Sequence, residues 1–438
     1  MSASSIPSVP THPLHVHDYR LYLIARFCGI IGQYSLLLVI GWQTYSTARL
    51  TMGTHAAAAQ LGLIGLAQFL PLFLLTPLSG WVADHYDRRL VGAISTLLQM
   101  ICTAILGYAT YHHTITLPLL FILAALLGVT RCFAGPALSS MAPRLLPTPL
   151  IPRAVALGSL IWQMGMISGP ALGGYLYSVL PWLPHIMATG MFSVSILALL
   201  FIKPIPPTRA DIRRHPLRQM LDGIVYVRTN RLVLGAITLD LMAVLLAGST
   251  ALLPIYAHDV FHVGPSGLGQ LAAASGIGAV LTAFFFGIYP PEHNVGNKMM
   301  MAVVIFGVAT AVFGLTAFMP DSIGMLVALA ALFVCGIADM FSVFVRQTLI
   351  QVYTPDEMRG RVSSVSQLTV SASNELGEAE SGFLAALIGP ATTVVAGGIG
   401  AIITVILWKR LFPEIGLARR FDAVENMGHR SAQQESQT

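Results

Sequence analysis

Gly165-Met166-Ile167-Ser168-Gly169-Pro170-Ala171-Leu172-Gly173-Gly174 is a small-residue stripe set inside a long apolar run. Glycines four apart let a neighbouring helix approach closely, and Pro170 removes one backbone hydrogen bond and bends its helix. The run that carries this stripe is long enough to cross a bilayer, whose core of about 30 Å needs roughly 20 residues of helix. Eleven further runs of the same kind follow or precede it. The twelve are centred near residues 31, 69, 100, 127, 165, 192, 244, 277, 309, 334, 373 and 401. Pro, Gly and charged residues punctuate the breaks between them.

The composition agrees with that reading. Of 438 residues, 55% are hydrophobic and 10% charged, where a soluble domain carries roughly 25% charged residues. That excludes a soluble enzyme, a disordered chain or a nucleic-acid binder as a description of the whole. Residues 1–18 are polar and His-rich, with no apolar segment before a cleavage site, so the first apolar run is expected to begin the membrane domain. Cys28, Cys102, Cys132 and Cys335 are far apart in apolar segments and read as small core hydrophobes.

Placement of the bases explains the net charge of +5. Twenty of the 24 Lys and Arg fall in the termini and the even-numbered loops, whereas the odd-numbered loops hold only Arg49. Arg26, Arg131 and Arg346 lie inside spans or at their ends. Basic residues are retained on the cytoplasmic side, so both termini are expected in the cytoplasm, and the basic charge is topology rather than nucleic-acid affinity.

The longest and most basic loop, from Lys203 to Arg228, divides the chain into two six-span halves. A shift of 208 residues lays Asp84-His85 on Glu292-His293, Pro147 on Pro355, Arg153 on Arg361, Gly169 on Gly377 and Gly174 on Gly382, with Arg131 on Asp339. Two parallel repeats are an architecture of secondary transporters. The expected organisation is a cytoplasmic tail over 1–18, a six-helix bundle over 19–203, a cytoplasmic central loop over 204–227, a second bundle over 228–412 and a cytoplasmic tail over 413–438.

Three motifs carry a resemblance. The loop Gly80-Trp-Val-Ala-Asp84-His-Tyr-Asp87-Arg88-Arg89 matches G-x-x-x-D-x-x-x-R-R/K, with Asp87 where Gly is usual. Gly165–Gly174 has every fixed letter of G-x-x-x-G-P-x-x-G-G. Leu127-Gly-Val-Thr-Arg131-Cys-Phe-Ala-Gly135 is similar to L-x-x-x-R-x-x-q-G, with Ala134 in place of Gln. In these the chain resembles the major facilitator superfamily from about Tyr19 to about Pro413. The stretch Asn374–Gly382 looks like the eleventh span of its enterobactin-exporter-like, drug:proton antiporter branch.

The resemblance implies an all-α membrane protein of twelve transmembrane helices in two pseudo-symmetric six-helix bundles. Asp84, Arg88 and Arg89 would latch the cytoplasmic side, unless that loop serves topology alone. Gly165, Gly169, Pro170, Gly173 and Gly174 would form a hinge or simply a close packing face. Arg131 would modulate the protonation of a nearby carboxylate, or snorkel to the interface.

Ionisable residues inside spans are costly and read as functional. Asp240, Asp339, Glu375 and Glu378 are the buried carboxylates. Arg26, Arg131, Asp240 and Asp339 lie about 10–15 Å from the cytoplasmic side at 1.5 Å per residue, in one layer. Glu375 and Glu378 share a helix face, where two like charges in low dielectric are expected to hold one proton between them. At least one of the four is expected to carry a coupling proton; a structural polar network between halves is the competing role. Gln33, Tyr34, Trp162 and Gln163 are candidate cavity residues.

The expected function is export of a small organic molecule, a siderophore or drug-like amphiphile, by proton antiport and alternating access. A proton-coupled importer or an amphiphile flippase of the same fold is the alternative. No G-x-x-x-x-G-K-S/T, H-E-x-x-H or G-x-S-x-G occurs, which argues against ATP as energy source and against an embedded enzyme. His12, His15 and His17 fall in a short polar terminus, and Met299–Met301 begin a span; neither group is expected to bind metal. No cofactor is expected. The expected partners are a small-molecule substrate, protons and the lipid bilayer of a bacterial inner membrane, with the chain monomeric and no nucleic acid bound.

Overall fold

The computed structural model describes residues 12–205, 216–289, 291 and 293–418. Both distal tails, Arg209, Arg213 and Arg214 of the central loop, and Glu292 lie outside the described residues. Among the described residues twelve long helices run in chain order: α1 (His17–Arg49), α2 (Thr54–His85), α3 (Arg88–Tyr111), α4 (Leu117–Ser139), α5 (Ile151–Val179), α6 (Leu183–Phe201), α7 (Arg231–Ala247), α8 (Gly264–Ile288), α9 (Val295–Leu315), α10 (Asp321–Val352), α11 (Asp356–Ile388) and α12 (Pro390–Leu411). Each covers one of the twelve apolar runs. Ten are long and apolar enough to cross a membrane by length and composition. The other two, α5 and α11, are as long, at 29 and 33 residues.

The chain divides into two compact units. One comprises Met1–Leu38, Leu70–Ile115 and Ile122–Arg213; the other comprises Val39–Phe69, Thr116–Phe121 and Arg214–Thr438. The second unit thus holds the whole second repeat together with the turn that joins α1 to α2.

Within the first unit, α3 packs along α6. Small residues set the spacing: a Cβ at Gly107 would lie 2.9 Å from the Cβ of buried His185 on α6, and one at Gly92 2.8 Å from Leu138 Cδ2 on α4. Tyr19, fully buried, donates its hydroxyl to Ala154 O at 2.8 Å, and Ser195 donates to Ala25 O at 2.9 Å. These two buried hydroxyls are satisfied on helix carbonyls, since lipid offers no alternative partner.

The second unit repeats the pattern six helices on. There α9 packs along α12 as α3 does along α6, and α8 packs along α10. The 208-residue register also appears in contacts. Gly169 of α5 faces α1, where its Cβ would lie 2.8 Å from Tyr34 Cβ. Its counterpart Gly377 of α11 faces α7, where a Cβ would lie 2.9 Å from Val244 O.

Two local features differ from a plain reading of loops and spans. The central loop contains a helix, Pro216–Thr229. Its buried positions Gly223 and Val227 are four apart while Asp222 and Arg228 are exposed, an amphipathic pattern easily overlooked among the six bases from Lys203 to Arg228. It lies on α11, with Arg361 Nη1 3.0 Å from Asp222 Oδ2 and Tyr226 donating to Tyr353 O at 3.0 Å. The seventh span, in turn, is broken. After Ala247 it passes through a 3-10 turn and a π turn over Tyr256–Val260. Gly248 comes within contact of Gly377 and Pro254 lacks an amide hydrogen, so a regular helix cannot continue.

Candidate functional site

Asp240 of α7 and Arg346 of α10 form a buried ion pair, Nη2 to Oδ2 3.3 Å, with side chains 7% and 3% exposed. Arg346 Nη1 also donates to Ser366 Oγ of α11 at 3.4 Å. Asp339 lies two helical turns before Arg346 on the same helix, within electrostatic reach of both Asp240 and Arg346. A second carboxylate thus lies within electrostatic reach of the paired Asp240 and Arg346. If both are ionised, one negative charge is left over in a low-dielectric setting, and a single proton removes it. The sequence marks Arg346 only as a base inside a span or at its end, not as a partner. Its spacing of seven residues from Asp339 was the available signal.

Glu375 and Glu378 form a separate place on α11. Nine residues separate Ser366 from Glu375, about 13 Å of helix. Glu375 is buried and Glu378 half-buried. Here α2 comes close: a Cβ at Gly65 would lie 3.5 Å from Glu378 Cβ, and one at Gly62 2.8 Å from Ala379 O. Glu380, half-buried, keeps an Oε2 that makes no hydrogen bond among the described residues. The four carboxylates thus fall into two places rather than one.

A third group went unrecognised in the sequence. Asp259, at the π turn, accepts from Tyr45 Oη at 2.5 Å, from Arg49 Nε at 3.0 Å, from Thr54 Oγ1 at 3.3 Å, and lies against His258 Nδ1. Arg49 Nη1 reaches Met52 O at 2.9 Å, and the His258 ring meets the rings of Trp42 and Tyr45. One carboxylate gathers donors from the end of α1, the start of α2 and the broken seventh span. These segments belong to different sequence repeats but to the same compact unit. π turns of this kind are frequent at functional sites. The sequence signal was slight: Arg49 is the one base in the odd-numbered loops.

In the first unit, Arg26 Cζ stands 5.4 Å over the Trp162 ring, and Tyr34 meets Trp162 edge-on at 6.0 Å. Two of the four expected cavity residues are therefore brought together, with Arg26 added. Gln33 and Gln163 are half-buried. Gly165, Gly169 and Gly173 line the face of α5 turned to α1. Cβ atoms there would lie 2.5 Å from Ile30 Cγ2, 2.8 Å from Tyr34 Cβ and 2.6 Å from Ser35 Oγ. Pro170 and Gly174 are buried in the same helix. The packing face thus presents the Tyr34–Trp162 pair.

Arg131 is half-buried on α4 in the first unit, whereas the four carboxylates belong to the second. In the loop motif, Asp87 replaces the usual Gly by capping α3. It has extended backbone, φ −60°, and its side chain accepts from Arg89 N at 3.0 Å, so no left-handed residue is needed there. Arg89 Nη1 donates to Ile202 O at 2.7 Å and Leu200 O at 3.3 Å, closing the end of α6. Arg88 is buried. The Asp84 side chain lies outside the described residues. No group of three His, Cys, Asp or Glu side chains among the described residues is placed to hold a metal ion.

Comparison with known proteins bears on what these groups serve. The family model of the Major Facilitator Superfamily matches residues 22–378. The enterobactin exporter of Citrobacter koseri is 27% identical over 418 residues, covering 94% of each chain. That of Shigella dysenteriae is 28% identical over 412 residues, covering 92% of this chain and 93% of its own. Among solved structures, a peptide transporter of 13% identity superposes with a TM-score of 0.71 over 94% of this chain and 98% of its own, a likeness of fold.

Proposed function

Because the chain belongs to the major facilitator superfamily, it is a multi-pass membrane transporter of small molecules, not an enzyme, and we propose that it exports a siderophore or drug-like amphiphile in exchange for protons. Full-length likeness to proteins named enterobactin exporters supports the direction and the cargo class. The observation that carries proton exchange is the buried Asp240–Arg346 pair with Asp339 beside it. A proton that neutralises one carboxylate changes the relative stability of two conformations, and only such a difference drives a substrate uphill.

In this reading residues 19–203 and 228–412 move as the two alternating-access halves in a bacterial inner membrane, with the chain acting as a monomer. The Asp259 group holds the α1–α2 turn to the second repeat when the non-cytoplasmic side is closed, and parts when it opens. Asp84 and Arg88 serve the cytoplasmic side. Arg26 over Trp162, with Tyr34 edge-on, suits a ring-bearing anion through cation–π and aromatic contact. Glu375 and Glu378 offer a second protonation site beside the α2 glycines.

Inside-out vesicles acidified within test the proposal directly. Labelled enterobactin is expected to accumulate in the lumen and to leak back when a protonophore collapses the gradient. Accumulation in right-side-out vesicles instead would make the protein an importer. Movement of lysolipid but not of enterobactin would make it a flippase.

A further inference from the structure

The ends of α8 and α9 flank an open groove of about 660 Å³. Its walls are aromatic and aliphatic. Phe285 and Tyr289 come from α8 and its end, Met301 and Ile305 from α9, all exposed; buried Phe286 stacks edge-on against Phe341 of α10 at 5.0 Å. A flat apolar flank would simply meet lipid chains. This flank is concave, and at its end it changes character: the exposed Lys298, in the first turn of α9, joins the lining beside His293. Tyr289 follows the last residue of α8, so the phenol and the ammonium stand at the same end of the hairpin. Tyr and Lys at a span end belong to the headgroup level of a bilayer.

We propose that this groove binds one anionic phospholipid, its acyl chain against the aromatic wall and its phosphate on the Lys298 ammonium. Charge decides the occupant. An apolar trough ending in a cation is complementary to a chain that ends in a phosphate monoanion, and basic pockets between spans take up such headgroups. A zwitterionic lipid offers the same chain but no net charge. The site is independent of whatever the transporter exports.

Native mass spectrometry of the full chain in detergent, titrated with dioleoyl-phosphatidylglycerol or dioleoyl-phosphatidylcholine, tests this. One phosphatidylglycerol is expected to be retained with about a fivefold preference, the effect of one basic residue at a membrane surface. Lys298→Gln should abolish the preference and Lys298→Arg keep it. Ile305→Trp, which fills the groove, should cut retention with all charges intact; thermal unfolding checks that each variant folds. Equal retention of both lipids by the wild type, or a preference unchanged in Lys298→Gln, overturns the proposal. So does displacement of the lipid by millimolar inorganic phosphate, which would make this a bare anion site. A dimer that Ile305→Trp dissolves would make a second copy the occupant, and would overturn it equally.

Discussion

Arg49 and Arg346 show how a single base acquires meaning from its partner. Each was visible as an outlier in the count of bases, yet neither Asp259 nor Asp240 is near its partner in sequence. Arg346 and Asp240 are both nearly inaccessible, and removing one member of such a pair strands a buried charge. Arg346→Met is expected to cost about 3–5 kcal/mol of stability, read from unfolding in detergent. Replacing both, Arg346→Met with Asp240→Leu, should restore most of that loss, since apolar residues can stand in for a buried pair. Proton-driven transport should remain absent in the double variant. If it persists, the pair is structural glue and the coupling proton lies elsewhere, with Glu378→Gln the next variant to assay. Arg49 and Asp259, with side chains 29% and 17% exposed, are less buried. A double-mutant cycle of Arg49→Gln and Asp259→Asn is expected to give a coupling of about 1–2 kcal/mol, within the range for residues in one hydrogen-bonded network. A coupling near zero would remove the latch.

Helix α5 separates glycines that set a helix distance from one that does not. At Gly169 a Cβ would meet Tyr34 Cβ at 2.8 Å and Ile31 O at 3.0 Å, whereas at Gly158 it would meet nothing within 4 Å. Gly169→Leu should destabilise by about 1–3 kcal/mol through overpacking, and Gly158→Ala should stabilise by up to about 1 kcal/mol through helix propensity. Thermal unfolding of the two variants, made separately, checks both signs. The cap of α3 gives a gentler contrast. Asp87→Ala loses the bond to Arg89 N and about 1 kcal/mol, while Asp87→Gly, which restores the superfamily's usual residue, should cost only a few tenths. These elements also mark where sequence reading succeeds. All twelve helices were legible, because a span must announce itself by some twenty apolar residues, and the glycine stripe was legible because close packing needs small residues at fixed spacing. The site was only partly so. Asp240, Asp339, Tyr34 and Trp162 stand out by type and depth. The break after Ala247 that carries Asp259, the helix over Pro216–Thr229 and the pairing of Asp240 with Arg346 depend on tertiary neighbours that no local pattern records.

Across the whole molecule, the placement of the bases bears on which way the chain lies in the bilayer. Twenty bases against one between the two sets of loops is a strong bias, and retention of Lys and Arg in the cytoplasm converts it to an orientation. In that expected orientation the Asp259 group would face the outside and Lys298 the cytoplasm, since one adjoins the α1–α2 turn and the other the α8–α9 turn. Orientation fixes which compartment each group meets, whereas in an exchange with protons the gradient itself sets which way the substrate is driven. Single cysteines decide between the two orientations in a background where Cys28, Cys102, Cys132 and Cys335 are replaced. Thr51→Cys, exposed in the α1–α2 turn, is expected to react with a membrane-impermeant maleimide in intact cells. Gly360→Cys, exposed near the start of α11 with no heavy atom within 4 Å of its Cβ position, should react only in inside-out vesicles. Reversal of both patterns would place the termini outside and overturn the expected orientation. Labelling of Gly360→Cys from both faces would mean that the chain inserts without a fixed orientation, and the base asymmetry would then not be what orients it.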